Sequence, residues 1–406
     1  MAKEEILCSL DIGTTKVAAI IAQLKEEGSI EVLGFGNAST SGGLRKGVII
    51  NLENTVGAIE EAVGQAEEMA EVKIKNVVVN VGGIYLKGVN NRGNKAITRS
   101  SKEISMNDTK AAIESSCEIS IPLDQEIVFI SPQEYVLDGQ DGIKEPPVGI
   151  VGDNLGIKVH LFMGAITSMQ NIFKSVNLSG LRVKTIVPAP LASSLSVLSD
   201  EEMENGVVLV DIGGGTTDVC VFLKGYIYHT HILGLGGEQI TGDIGICLRS
   251  SKEVAERLKK EYGSAMATLA KEEQIEVPGL GGREGHRTSR SMLCEVIQAR
   301  LEEILGLVNG QIKETKQEDM FSAGVVLTGG VSNTDGIVQL AEDMLKLPVR
   351  IGIPREFEFG TAMASLSDPS YGVGLGLLRH AKLKGYSVFA KTGFIDKAKR
   401  WWGNFF

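Results

Sequence analysis

Short apolar runs, closed by glycine or aspartate, alternate along the chain with stretches whose apolar residues return every three or four positions. The runs predict buried strands and the stretches predict amphipathic helices, which together make an α/β fold. Ile6-Leu7-Cys8-Ser9-Leu10, Val17-Ala18-Ala19-Ile20-Ile21 and Ile30-Glu31-Val32-Leu33-Gly34-Phe35 read as strands. A helix is predicted over 54–70, with Val56, Ile59, Val63, Ala66 and Met69 on one face, and Val77-Val78-Val79-Asn80-Val81 is a further strand. Between 84 and 162 the texture changes to short strands, a helix near 106–116 and the turns Asp138-Gly139 and Asp141-Gly142, the pattern of a small α+β insertion without recognisable chemistry. A helix over 169–178 and a strand near 183–187 follow, and Pro188-Ala189-Pro190 opens a helix over 191–198.

The second half repeats the plan. Val207-Val208-Leu209-Val210 and Val219-Cys220-Val221-Phe222 are strands; helices are expected after Gly234-Leu235-Gly236-Gly237, over 251–260, 292–313 and 336–345, and from Tyr371 onward. The stretch 278–290 is glycine-rich and basic and reads as a loop, and Val325-Val326-Leu327-Thr328 runs into Gly329-Gly330.

Composition adds limits. The 406 residues suffice for several subdomains, and 43% hydrophobic with 23% charged residues is ordinary for a globular chain. A net charge of −10 argues against nucleic acid as a partner. The five cysteines are scattered without a C-x-x-C pair and read as free thiols of a reducing compartment. His229 and His231 share a strand face, but no third ligand accompanies them, so no metal site is expected there. The acidic, polar N-terminus does not read as a signal peptide. No apolar run approaches the about 18 residues of a membrane span.

Two stretches carry chemistry. Asp11-Ile12-Gly13-Thr14-Thr15-Lys16 joins the first two strands, and Asp211-Ile212-Gly213-Gly214-Gly215-Thr216-Thr217-Asp218 joins two others 200 positions later. Glycines let a turn aim its N–H groups at an anion, threonines add hydroxyl donors, and an acid opening the turn is placed to hold the water shell of Mg²⁺. A glycine-rich hairpin alone has a bland alternative as a plain turn. Its recurrence predicts two related lobes clamping the phosphates of one nucleotide.

The order of the Asp11 turn, the 188–198 helix, the Asp211 turn, Gly329-Gly330 and the helix at 372–378 resembles the nucleotide site of the actin, sugar-kinase and heat-shock-chaperone ATPase superfamily. Ser131-Pro132-Gln133-Glu134-Tyr135, Pro147-Val148-Gly149, Leu191-Ala192-Ser193-Ser194-Leu195, Val326-Leu327-Thr328-Gly329-Gly330 and Pro348-Val349-Arg350-Ile351-Gly352 are similar, more narrowly, to the FtsA family of bacterial division proteins. The resemblance implies two actin-like (RNase H-like) lobes. The first comprises 1–83, 163–195 and 368–383, with 84–162 inserted. The second comprises 196–240 and 305–367, with an outer subdomain at 241–304. It implies that Asp11 and Asp211 organise Mg²⁺ through water, and that Gly13, Thr14, Thr15, Lys16, Gly213, Gly214, Gly215, Thr216 and Thr217 hold ATP phosphates. Gly237, Gly329 and Gly330 would approach the nucleotide, and Glu256 and Lys259 would reach the ribose and base, although on the residues alone that pair reads as an exposed ion-paired helix face.

Where chaperone ATPases and MreB carry a water-orienting glutamate, the chain has Ala189, which implies at most weak ATP hydrolysis. The last residues carry a second signal. Phe394, Ile395, Ala398, Trp401, Trp402, Phe405 and Phe406 fall on one helical face, with Lys397, Lys399 and Arg400 beside it. Aromatic residues over a basic flank predict a helix lying in an anionic lipid surface, joined to the body by a linker over 384–393; docking on a protein core is the alternative. Burying four rings gains on the order of 10 kcal/mol and ordering the segment costs about as much, so one tail binds reversibly and many on a filament bind firmly. The resemblance implies a structural adaptor. It would bind ATP, polymerise with itself and tether the FtsZ ring to the cytoplasmic side of the membrane at the division site, recruiting later division proteins through 84–162. FtsZ's C-terminal tail would dock near Arg290, Glu295 and Arg300, whose plain alternative is a solvated helix face. A sugar or metabolite kinase is the alternative function; a chaperone would need a peptide-binding domain for which there is no room.

Overall fold

The two turns sit at matching points of two sheets with the same topology. The computed structural model describes residues 5–26, 28–279, 281, 284–359 and 365–383; the predicted linker 384–393 and tail helix 394–406 lie outside the described residues. In the first lobe β1 (Glu5–Ile12), β2 (Lys16–Leu24) and β3 (Ile30–Ser39) pair antiparallel in sequence. A two-residue hairpin, β4 (Leu44–Arg45) and β5 (Val48–Ile49), leads to α1 (Leu52–Ala70), after which β6 (Asn76–Val81) returns parallel to β1. The helix starts where the Asn51 side chain caps the Asn54 N–H and stops at Glu71 in the left-handed region, φ 53°. Its buried stripe of Ala58, Ile59, Ala62, Val63 and Ala66 lies directly on the β3 backbone. A Cβ on Gly34 would stand 2.2 Å from the Ala66 carbonyl oxygen, and one on Gly36 1.8 Å from that of Ala62.

The insertion folds as its own layer: β7 (Leu86–Ala96), α2 (Met106–Ser116), β8 (Gln125–Leu137), β9 (Gln140–Ile143) and β10 (Asn154–Ala165), with strand order β7-β10-β8-β9. Ile97, Ile113, Leu155 and Leu161 fill the space under α2. The chain then re-enters the first lobe through α3 (Ile166–Leu178) and β11 (Arg182–Pro188), parallel to β6. It crosses to the second lobe through α4 (Ala189–Val197) and the short α5 (Asp200–Asn205).

There β12 (Val207–Ile212), β13 (Thr217–Leu223) and β14 (Tyr226–Leu233) repeat the antiparallel trio. Next come α6 (Gly237–Cys247) and α7 (Lys252–Tyr262), the hairpin of β15 (Gln274–Val277) with β16 (His286–Ser289), and α8 (Arg290–Glu314). Parallel strands β17 (Val325–Thr328) and β18 (Val349–Ile351), joined by α9 (Ile337–Leu345), complete the order β14-β13-β12-β17-β18. It mirrors β3-β2-β1-β6-β11 of the first sheet. The chain ends with β19 (Phe357–Phe359) and α10 (Gly372–Lys382), which packs on α4 so closely that a Cβ on Gly376 would lie 1.7 Å from the Ala192 carbonyl oxygen.

Two placements differ from the sequence reading. Part of the 278–290 stretch, expected to be loop, pairs as β16 with β15, which satisfies its backbone groups. β19, inside the 305–367 segment expected in the second lobe, joins the first sheet parallel to β3, where its phenylalanines pack beside Leu24, Phe35 and Tyr371. The insertion also touches the second lobe. Asn90 Nδ2 donates to the Tyr228 carbonyl at 2.8 Å and Gln133 Nε2 to that of Ile227 at 2.6 Å. His160 lies between Asn90 Oδ1 (2.6 Å) and Thr230 Oγ1 (2.8 Å). Burial, aided by His229, pushes His160 down to about 3, so the contact stays neutral at physiological pH.

Candidate functional site

The geometry of the two turns is the same. Gly13 N–H donates to the Lys16 carbonyl at 2.9 Å, and Gly213 N–H to the Thr216 carbonyl at 2.9 Å. Asp11 stands opposite Ala18 in the first hairpin, and Asp211 opposite Asp218 in the second. The turns also meet. A Cβ on Gly214 would fall 2.4 Å from Thr15 Cγ2, and one on Gly215 2.6 Å from Thr14 Oγ1, so the second turn is glycine because the first turn's threonines occupy that space. Gly237 and Glu238 N–H groups donate to the Gly213 and Gly214 carbonyls at 2.9 and 2.7 Å, fixing the second turn from α6. Gly47 N–H donates to Thr14 Oγ1 at 3.0 Å and fixes the first.

Around this contact opens a cavity of about 1450 Å³ lined from both lobes. Asp11, Gly13, Thr14, Thr15, Lys16, Asp211, Gly213, Gly214, Gly215, Thr216, Gly237, Glu256, Lys259, Gly329 and Gly330 all face it. Of the sequence candidates in the turns, only Thr217 does not. It begins β13 with its side chain on the buried face, and its Oγ1 donates to the Leu235 carbonyl at 2.9 Å. Gly329 needs its φ of 85°, and a Cβ there would lie 2.4 Å from Asp211 Oδ1. Glu256 and Lys259 are both ion-paired and in the cavity wall. Lys259 Nζ donates to Glu256 Oε2 at 2.6 Å, Thr241 Oγ1 at 2.8 Å and the Gly237 carbonyl at 3.2 Å.

The electrostatics call for a cation. Burial pushes the Asp11 carboxyl up to about 6, with Lys16 opposing the shift. Burial and then the Asp11 charge push Asp211 up to about 7 against Ser193 and Lys16, and burial and then Asp211 push Asp218 well above the usual carboxylate range. Asp218 Oδ1 is buried without a hydrogen-bond partner. Two buried acids, Asp11 and Asp218, with the half-buried Asp211 and one half-buried lysine, fit a divalent ion, which would supply further positive charge. Among the described residues no three His, Cys, Asp or Glu side chains are grouped as direct ligands of a metal ion. Asp218 and Asn80, whose Oδ1 accepts from Ile12 N–H at 2.8 Å, are site residues that sequence reasoning missed. The register of Asp218 against Asp211 was the available signal for the first; nothing local marks the second.

Ala189 lies buried in the cavity wall against Gly82, where a Cβ would stand 2.8 Å from its own. Arg290, Glu295 and Arg300 are not brought together. Five residues turn a helix by about 140°, which separates the three around α8. Arg290 lines the cavity with Nε on the Tyr262 carbonyl (2.9 Å), Arg300 Nε pairs with Asp243 Oδ2 (2.7 Å), and Glu295 accepts from Ser291 Oγ (3.3 Å).

Comparison with known proteins matches this architecture. The family model described as "Cell division protein FtsA" matches residues 208–376, and that described as "SHS2 domain inserted in FTSA" matches 83–163. Curated cell division proteins FtsA are similar over nearly the full chain. That of Pseudomonas aeruginosa is 38% identical over 99% of this chain and 98% of its own. That of Neisseria meningitidis is 38% identical over 100% and 99%, and that of Bacillus subtilis 34% identical over 96% and 87%. Among solved structures the fold is similar to a chain of the PilM-PilN type IV pilus biogenesis complex, with TM-score 0.67, 14% identity, and coverage of 93% of this chain and 98% of that one. It is also similar to MreB5 of Spiroplasma citri bound to ADP, with TM-score 0.57, 16% identity, and coverage of 94% and 99%. Among the described residues no helix is long and apolar enough to cross a membrane.

Proposed function

The chain belongs to the FtsA family of cell division proteins, and from that premise we propose that it is an ATP-dependent adaptor tethering the FtsZ ring to the membrane. The observation that carries the nucleotide part is the meeting of two like turns beside one cavity into which Asp11, Asp211 and Asp218 face. Asp11, Asp211 and Asp218 hold Mg²⁺ through water; the ion offsets their charge and that of the phosphates. The turn N–H groups with Thr14, Thr15, Lys16 and Thr216 bind the phosphates. Gly237, Glu256, Lys259, Gly329 and Gly330 bind the nucleoside. A ligand gripped by both lobes stabilises the closed arrangement by its differential affinity.

Ala189 offers no group to orient an attacking water, so turnover is slow and the nucleotide acts mainly as a structural ligand. The anchor is the aromatic and basic segment 394–406, supported by its sequence pattern. Self-assembly into filaments, docking of FtsZ's C-terminal tail on the 241–304 region and recruitment of later division proteins through 84–162 are supported by family membership. The protein accordingly works at the cytoplasmic face of the membrane at the division site. Sedimentation with anionic liposomes, ATP and Mg²⁺ tests the anchor: the full chain should pellet and a chain ending at Gly393 should not. Equal pelleting removes the tether. Phosphate release as fast as that of MreB would overturn the reading of Ala189.

A further inference from the structure

Lys16 is held by groups from the far end of the chain that the sequence did not single out. Its Nζ donates to Ser370 Oγ at 2.9 Å and lies 3.6 Å from the centroid of the Tyr371 ring. The ring is itself fixed. It packs edge-on against Phe35, with centroids 5.1 Å apart and planes at 83°, and its hydroxyl accepts from Asn37 Nδ2 at 3.3 Å. The segment bearing both groups is tied to the second lobe. Thr328 Oγ1 and Gly329 N–H donate to the Pro369 carbonyl at 3.1 and 3.3 Å, and Asn333 Nδ2 to Asp368 Oδ2 at 2.8 Å. Asp368 Oδ1 accepts from Ser370 N–H at 2.8 Å and stiffens the turn.

The choice of partners is informative. A carboxylate in contact with the amine would hold it but cancel the charge that a phosphate needs. A hydroxyl and an aromatic face hold an ammonium while leaving that charge in place. Burial lowers the pKa of this amine, with Lys260 adding to the shift and Asp11, Asp368 and Asp211 opposing it.

We propose that Ser370 and Tyr371 are positioning residues for the nucleotide: they hold the Lys16 ammonium in the cleft wall, preorganised to receive phosphate. The proposal rests on the nucleotide reading of the cleft and adds residues to it.

The test is calorimetric titration of the full chain with ATP and Mg²⁺, repeated with inorganic tripolyphosphate, which lacks ribose and base. Tyr371→Leu should weaken both ligands about tenfold, the size expected for losing a partly buried cation–π contact. Tyr371→Phe, which keeps the ring face, should bind within about twofold of the natural chain. Ser370→Ala should cost about threefold. Lys16→Ala should be weaker than any of these, and adding Tyr371→Leu or Ser370→Ala to it should cost nothing more, since their effect passes through the amine. A merely structural role predicts the same loss in both backgrounds, and that result, or unchanged binding by Tyr371→Leu, would overturn the proposal. If Tyr371→Leu does not fold, the Ser370→Ala and Lys16→Ala cycle decides alone by the same criterion. A natural chain that binds neither ligand overturns the nucleotide reading and the positioning role together; binding that ignores positions 370 and 371 overturns only the latter.

Discussion

The two turns have one backbone and divide the chemistry unequally. Both open on an aspartate and close with the same 2.9 Å hydrogen bond. The first continues with Thr14, Thr15 and Lys16 and has Ala18 opposite its acid, whereas the second continues with three glycines and has Asp218 opposite. The first lobe therefore contributes two hydroxyls and a cation where the turns meet, and the second contributes bare backbone there, with Thr216 beside it and two carboxylates. Packing explains the asymmetry: two threonine-bearing turns would collide, and only one side can carry side chains where the lobes touch.

Making the turns alike is the most damaging way to test this. Gly214→Thr with Gly215→Thr overfills the contact at two positions and should weaken ATP binding about 100-fold, read by titration, with a lowered melting temperature. Asp218→Ala gives the second hairpin the residue of the first; the Mg²⁺-dependent part of ATP affinity should fall about tenfold while the metal-free protein melts higher, because a buried acid with one oxygen lacking a hydrogen-bond partner is gone. The acids also set a pH dependence. Asp11 and Asp211 are raised from 3.8 in an exposed carboxyl to about 6 and about 7 in the fold, so the folded state holds protons more tightly. Their contribution to stability is full below about pH 4 and is lost as pH rises through 6 to 7. Melting without Mg²⁺ should therefore show a loss from these two groups between about pH 4 and pH 7, and added Mg²⁺ should stabilise more at pH 8 than at pH 5. The mildest change runs the other way: Thr15→Gly removes one hydroxyl but overfills nothing, and should cost about threefold in ATP affinity.

Much of this was legible in the sequence because it is local. The helix α1 was placed from periodicity, and the turns were found from a strand, an acid and glycine in succession, features that act within a few residues of one another. Thr217 was misplaced because the strand's pleat, which begins at that residue, turns its side chain inward. Arg290, Glu295 and Arg300 lie on different sides of α8, an arrangement that depends on how the chain winds and not on neighbouring residues.

The sequence by itself determined that two acid-and-glycine hairpins exist and what backbone they adopt, since turn chemistry and alternation depend only on neighbours along the chain. The tertiary structure alone decided which groups share the cleft. It brought Asp218 and Asn80 into the wall, set Tyr371 under an amine 355 positions away, seated His160 against the second lobe and drew β19 into the first sheet. Those outcomes depend on distances across the fold and on how much water each carboxylate loses, and both are set by everything that packs around a residue.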